Sequence, residues 1–236
     1  MARPVPALLR RLVALLAAIA PLGLHAASPV YSIKGTQIHY DGSPVRIGGG
    51  VNALHTYALG SDSDYALLKE WNVGIVREFI GNLGEVPLSG KWAAQSSIGE
   101  WLWPLQAIAD DNRENGIVTM FCPFKWVNET TGVGTLFSGK NPSEQDFYGA
   151  YKARMRALAE QFKNQSDVWL EVWNEPYTYD NSGGYSNATW LKDAIEMVEN
   201  LRSVEGFDNI IVVPGNGQVL ACRKEKVKVL LFSHFF

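Results

Sequence analysis

The stretch Val168-Trp169-Leu170-Glu171-Val172-Trp173-Asn174-Glu175-Pro176-Tyr177 holds the residue types best suited to chemistry. An apolar run of strand composition delivers a polar pair, Asn174-Glu175, at its C-terminal end, and Pro176 then stops the ladder. A carboxylic acid beside indole rings suits a group that must keep a proton and give it to a leaving oxygen, so Glu175 is the candidate acid. Trp173, Tyr177, Tyr179 and Tyr185 offer flat faces for a stacked ligand ring, although burial is the commoner use of such side chains. Arg77 closes a second apolar run, Asn72-Val73-Gly74-Ile75-Val76-Arg77, where it could pair with Glu171 inside a barrel. In a third run, Phe121-Cys122-Pro123-Phe124-Lys125-Trp126, Trp126 is a candidate platform or equally a packing residue lining the mouth, Lys125 is expected in solvent, and Cys122 is expected to be a small core residue. The four histidines, His25, His39, His55 and His234, have no helical ligand spacing, and the two cysteines, Cys122 and Cys222, are far apart. The sequence therefore implies no metal and no cofactor.

Positioning these residues requires strands that end together. The pattern predicts a small hairpin, Tyr31–Lys34 and Thr36–Tyr40 turned at Gly35, and then strands alternating with helices. The predicted strands are Val45–Val51, Val73–Phe79, Ile117–Phe121, Val168–Trp173 and Ile210–Val213. The predicted helices are Ser61–Trp71, Glu100–Asn115, Ser143–Lys163 and Thr189–Glu205, with capping pairs Ser61/Asp64 and Ser143/Asp146. Such alternation implies parallel pairing and an α/β class. Gly48-Gly49-Gly50 lies inside a strand and lacks the spacing of a phosphate-binding loop, which argues against an open nucleotide-binding sheet. Long loops rich in Gly, Asn and aromatics after the second, third and fourth strands favour a (β/α)8 TIM-type barrel, of which the chain supplies about five of eight units.

The flanks have their own character. Residues 1–27 have the order of a secretory signal: Arg3, Arg10 and Arg11, an apolar run from Leu12 to Ala20, then Pro21 and small residues ending at Ala26 and Ala27. The run is shorter than the roughly 20 residues of a membrane span, so the expectation is export, to the extracellular space or periplasm. Removing it takes the net charge from −3 to −6. A chain so acidic offers no footprint for nucleic acid or an anionic membrane, and an uncharged partner fits better. The pattern sets no oligomeric state. From Val219 to Phe236 the composition turns basic and then apolar, which marks residues 219–236 as an atypical tail, consistent with a changed reading frame, after a barrel domain over 28–218. The alternative is a genuine helix or strand.

Trp173-Asn174-Glu175-Pro176-Tyr177 on its strand resembles the signature of glycoside hydrolase family 5, which contains many cellulases and β-mannanases. Gly35 to Val45, followed by Gly50-Val51-Asn52, is similar to that family's opening hairpin and first strand, and Asn72 to Arg77 to its second. The resemblance implies a TIM barrel and a retaining mechanism on β-1,4-linked glycans, and so a polysaccharide or oligosaccharide partner. One carboxylic acid would protonate the glycosidic oxygen while a second attacks the anomeric carbon. By position, Glu175 would be the acid/base, Asn174 would bond the sugar 2-hydroxyl, Arg77 would orient the nucleophile, and Trp173, Tyr177 and Trp126 would touch substrate. The family's nucleophile follows a seventh strand, and the sequence supplies no counterpart. Glu171 precedes Glu175 by four strand positions, about 13 Å between Cα atoms, beyond the roughly 5 Å between the carboxyls of a retaining pair. Nothing around Glu78 or Glu129 marks a nucleophile. Phe124 stands where the family usually has histidine. A glycan-binding protein without catalysis is the alternative reading.

Overall fold

The computed structural model describes residues 30–57, 62–177, 185–215 and 229–232. The signal-like segment 1–27, Ser61, Tyr179, Cys222, His25 and His234 therefore lie outside the described residues, as does all of the atypical tail except 229–232.

The chain opens with β1 (Tyr31–Lys34), β2 (Gln37–Tyr40) and β3 (Ser43–Pro44), a small antiparallel sheet. Then come β4 (Gly49–Ala53), α1 (Asp62–Glu70) and β5 (Val73–Ile80). The loop after β5 carries a two-residue ribbon, β6 (Ala94–Gln95) with β7 (Trp101–Leu102), and leads into α2 (Leu105–Glu114). β8 (Val118–Pro123) is followed by a second ribbon, β9 (Lys125–Val127) with β10 (Gly134–Leu136), a 3-10 turn at Pro142–Glu144, and α3 (Tyr148–Phe162). β11 (Val168–Glu171), α4 (Asn187–Arg202), β12 (Ile211–Pro214) and β13 (Val229–Phe232) complete the order.

Six strands form one parallel sheet in the order β13-β12-β11-β8-β5-β4, so each new strand joins the same growing edge. A doubly wound sheet would reverse direction at a switch point, whereas a barrel wall does not. The α/β barrel expectation is met, with six parallel strands where the sequence pattern gives five. Val229–Phe232 pairs with Ile211–Pro214, so this part of the tail is a strand.

Alternation along each strand sorts the two faces. Ile80, Phe121, Leu170, Val172, Ile211 and Val213 pack with Leu105 and Ile108 of α2, Tyr151, Met155, Leu158 and Phe162 of α3, and Met197 and Leu201 of α4. Tyr65 and Leu68 of α1 cover Val76 and Ile117 on the same side. The opposite face places Val118, Met120, Trp169, Ile210 and Val212 against Ile75 and the hairpin residues Tyr31, Ile33 and Ile38. The opening hairpin thus seals an apolar floor, and later positions of the same face, Arg77, Cys122 and Glu171, rise toward the C-terminal rim.

The element ends shift for local reasons. The first sheet strand starts at Gly49, after Gly48, whose close approach to the β5 side leaves no room for side chains: a Cβ on Gly74 would sit 2.5 Å from the Gly48 backbone nitrogen. This close approach accounts for Gly48 and Gly74, whereas a Cβ on Gly49 would meet open space. α2 begins at Leu105 because Pro104, in extended conformation, occupies its N-cap and cannot lie inside a helix. α3 begins at Tyr148 with Phe147 as N-cap and no side-chain cap, so the Ser143/Asp146 pair does not open it. α4 is capped by Ser186, whose Oγ accepts from the Thr189 amide at 3.0 Å. No described helix is long and apolar enough to cross a membrane.

Candidate active site

β11 ends at Glu171, and the residues that follow turn across the sheet's C-terminal rim. Glu175 and Tyr177 both adopt positive φ, 43° and 66°, a region that costs non-glycine residues energy and needs outside support. The support comes from the loop after β10. The Gly139 amide donates to the Glu175 carbonyl at 3.0 Å, and the Tyr177 amide donates to the Lys140 carbonyl at 2.8 Å. Beneath the turn, the Tyr177 hydroxyl donates to Asp193 Oδ2 on α4 at 2.9 Å, with both residues buried.

A continuous chain of polar contacts runs from β5 to this turn. Arg77 grips Glu171 with two bonds, Nε to Oε2 at 2.6 Å and Nη2 to Oε1 at 2.7 Å. Its Nη2 also donates to Asn174 Oδ1 at 2.9 Å. Asn174 Nδ2 donates to Ser138 Oγ at 2.9 Å, and Ser138 Oγ donates to Glu175 Oε2 at 3.2 Å. Burial alone would lower the Arg77 pKa. The neighbouring Cys122, then the hydrogen bond and charge of Glu171 and the charge of Glu175, outweigh it and push the pKa up. Burial, followed by the nearby Glu171 charge, pushes the Cys122 thiol well above its ordinary value.

Arg77, Asn174 and Glu175 are therefore brought together. Of the two readings open for Arg77, the ion pair with Glu171 is present. Glu175 is exposed and contacts a hydroxyl, whereas the sequence suggested an indole setting. Trp173 is completely buried in the helix-side core and presents no face to a ligand, because the strand ends at Glu171 and the next residues turn inward. Tyr177 is buried as well, and burial followed by the Asp193 charge pushes its phenol pKa up. Trp126 stacks flat on Phe147, with ring centroids 5.4 Å apart, and is only half-buried. Lys125 is not simply solvated: it pairs with Glu100 at 3.1 Å and lies over the Tyr57 ring. Cys122 is buried, and Phe124 packs against Phe79. Glu78 is buried on the helix side against His55 and Asn112, and Glu129 is exposed in a loop. Ser138, which joins Asn174 to Glu175, carries no pattern in the sequence and was missed. Among the described residues no group of three His, Cys, Asp or Glu side chains could hold a metal ion.

A parallel sheet built in one direction, with polar residues gathered at its C-terminal rim, defines a protein of the (β/α) barrel class. Residues 38–228 match the family described as Cellulase (glycosyl hydrolase family 5), and the chain belongs to that family. No curated protein matches it significantly. Among solved structures it is similar to the catalytic domain of a mannanase from Streptomyces sp. SirexAA-E, with 16% identity, a TM-score of 0.53, and coverage of 84% of this chain and 55% of that one. It is also similar to the catalytic domain of the endoglucanase Cel5A from Thermobifida fusca, with 17% identity, a TM-score of 0.54, and coverage of 85% and 63%. A third is the β-glucanase SdGluc5_26A from Saccharophagus degradans, with 20% identity, a TM-score of 0.55, and coverage of 80% and 54%. The chain thus spans a little over half the length of these structures.

Proposed function

We propose that the chain belongs to an exported retaining glycoside hydrolase of β-1,4-linked polysaccharide, a glucan ahead of a mannan, with Glu175 as its acid/base. The observation that carries this reading is the exposed Glu175 carboxylate at the sheet's C-terminal rim, joined through Ser138 and Asn174 to Arg77. In this reading Glu175 gives a proton to the glycosidic oxygen, which keeps the electron pair of the breaking C–O bond. A second carboxylate bonds to the anomeric carbon, and water later replaces it, returning a proton to Glu175. In this reading Asn174, whose oxygen accepts from Arg77, would bond a sugar hydroxyl beside the acid. Related structures named for mannan and for glucan support this substrate class, and the signal-like residues 1–27 support export.

Glu171 is held by both bonds of Arg77, so within this network it serves as counter-ion and not as the attacking carboxylate. A glycan-binding role without hydrolysis is the second reading favoured by that observation. Release of reducing ends from soluble β-1,4-glucan and β-mannan separates the two. Hydrolysis that falls on the order of 10³-fold in Glu175→Gln supports the acid/base assignment. Binding of either polymer that survives Glu175→Gln, with no hydrolysis by the unaltered folded chain, supports the binding role.

A further inference from the structure

The polar chain at the rim has a direction. Arg77 has only donors, so Asn174 must turn its oxygen toward the guanidinium and its Nδ2 toward Ser138. Ser138 Oγ is then an acceptor from Asn174, and its single proton points to Glu175 Oε2. One oxygen of the Glu175 carboxyl is thereby engaged. We propose that Ser138 is a positioning residue that reserves Oε2 of Glu175 as a hydrogen-bond acceptor and so assigns the transferable proton to Oε1. This deepens the acid/base reading of Glu175 and rests on it.

The loop that carries Ser138 is built to hold this geometry. Phe137 is buried and anchors the loop in the core, its amide bonding the Phe124 carbonyl. Gly139, with φ at 68°, makes the reversal that brings its amide to the Glu175 carbonyl, and Lys140 receives the Tyr177 amide. Two backbone bonds and two side-chain bonds therefore fasten one loop to the turn carrying the acid. The Glu175 charge also acts on Arg77 of β5 and on the Cys122 thiol of β8, and Glu171 ends the strand that precedes Glu175. Only Ser138 bonds the Glu175 carboxylate among the described residues. An acid whose proton can sit on either oxygen spends part of its time with that proton turned away from the bond to be broken.

Ser138→Ala and Ser138→Thr in the full chain test this. The expected result is that Ser138→Ala lowers kcat on β-1,4-glucan or β-mannan about tenfold, the size of one misplaced hydrogen bond, with KM little changed. Ser138→Thr, which keeps the hydroxyl, restores kcat. The Asn174 side-chain amide, recognised by its disappearance in Asn174→Ala, gives a readout independent of turnover: its exchange with solvent quickens in Ser138→Ala and slows again in Ser138→Thr. An Asn174 amide unchanged in Ser138→Ala, or a kcat that Thr does not restore, overturns the inference. If the unaltered chain hydrolyses neither polymer and the amide still responds as expected, the Ser138 network stands and the hydrolase reading fails.

Discussion

Arg77 and Glu171 show how one pair can serve both folding and a site. The pair is largely buried, with side-chain exposures of 20% and 4%, and its geometry is the two-pronged one that a guanidinium and a carboxylate favour. Breaking such a pair from one side strands the remaining charge. Arg77→Met is therefore expected to destabilise the chain by about 3 kcal/mol, and Arg77→Met with Glu171→Leu to recover most of that, because apolar groups replace a buried pair well. Urea unfolding of the single and double variants measures the difference. Ser138 explains a limit of sequence reading at this scale. Glu175 stands out because Asn-Glu-Pro follows an apolar strand, but Ser138 lies 37 residues upstream in a loop and only the fold brings it within hydrogen-bond distance.

At the scale of elements, α4 fastens the rim from below. Tyr177 has a positive φ, and its hydroxyl ends on Asp193, which is completely buried and whose other oxygen, Oδ1, has no hydrogen-bond partner among the described residues. Tyr177 thus acts as a strut between the turn and α4, while its ring is covered. Tyr177→Phe removes the donor and leaves a buried carboxyl unsatisfied, with an expected cost of about 2 kcal/mol, read as a lower urea midpoint at unchanged slope. The apolar strands β8 and β11 were readable because both are buried along their whole length and need no polar alternation. Helix starts were less so. The Ser143/Asp146 pair has capping spacing, yet Pro142–Glu144 forms a separate 3-10 turn and the helix waits until Tyr148. Trp173 lies beyond the strand's last residue, Glu171, and takes the commoner aromatic role, burial in the helix-side core.

For the molecule as a whole, the one-directional order of the parallel sheet was legible from the repeated strand-helix pattern, and the family from the rim residues that pattern delivers. The sixth strand was not, because Val229–Phe232 sits in a segment whose composition departs from the rest, and pairing with β12 is a long-range property. The rim leaves Glu175 exposed while the side chains linked to it, Ser138, Asn174 and Arg77, are half-buried or buried. The central claim is that this exposed carboxyl is a proton donor. It is tested most directly by comparing Glu175→Ala with the unaltered chain on two substrates of one sugar: an unactivated β-1,4-linked oligosaccharide, and an aryl glycoside whose leaving group departs without protonation. The expected result is a loss on the order of 10³-fold for the oligosaccharide and a far smaller loss in bond cleavage for the aryl glycoside. Equal losses on both substrates, or no loss on either, would contradict the claim.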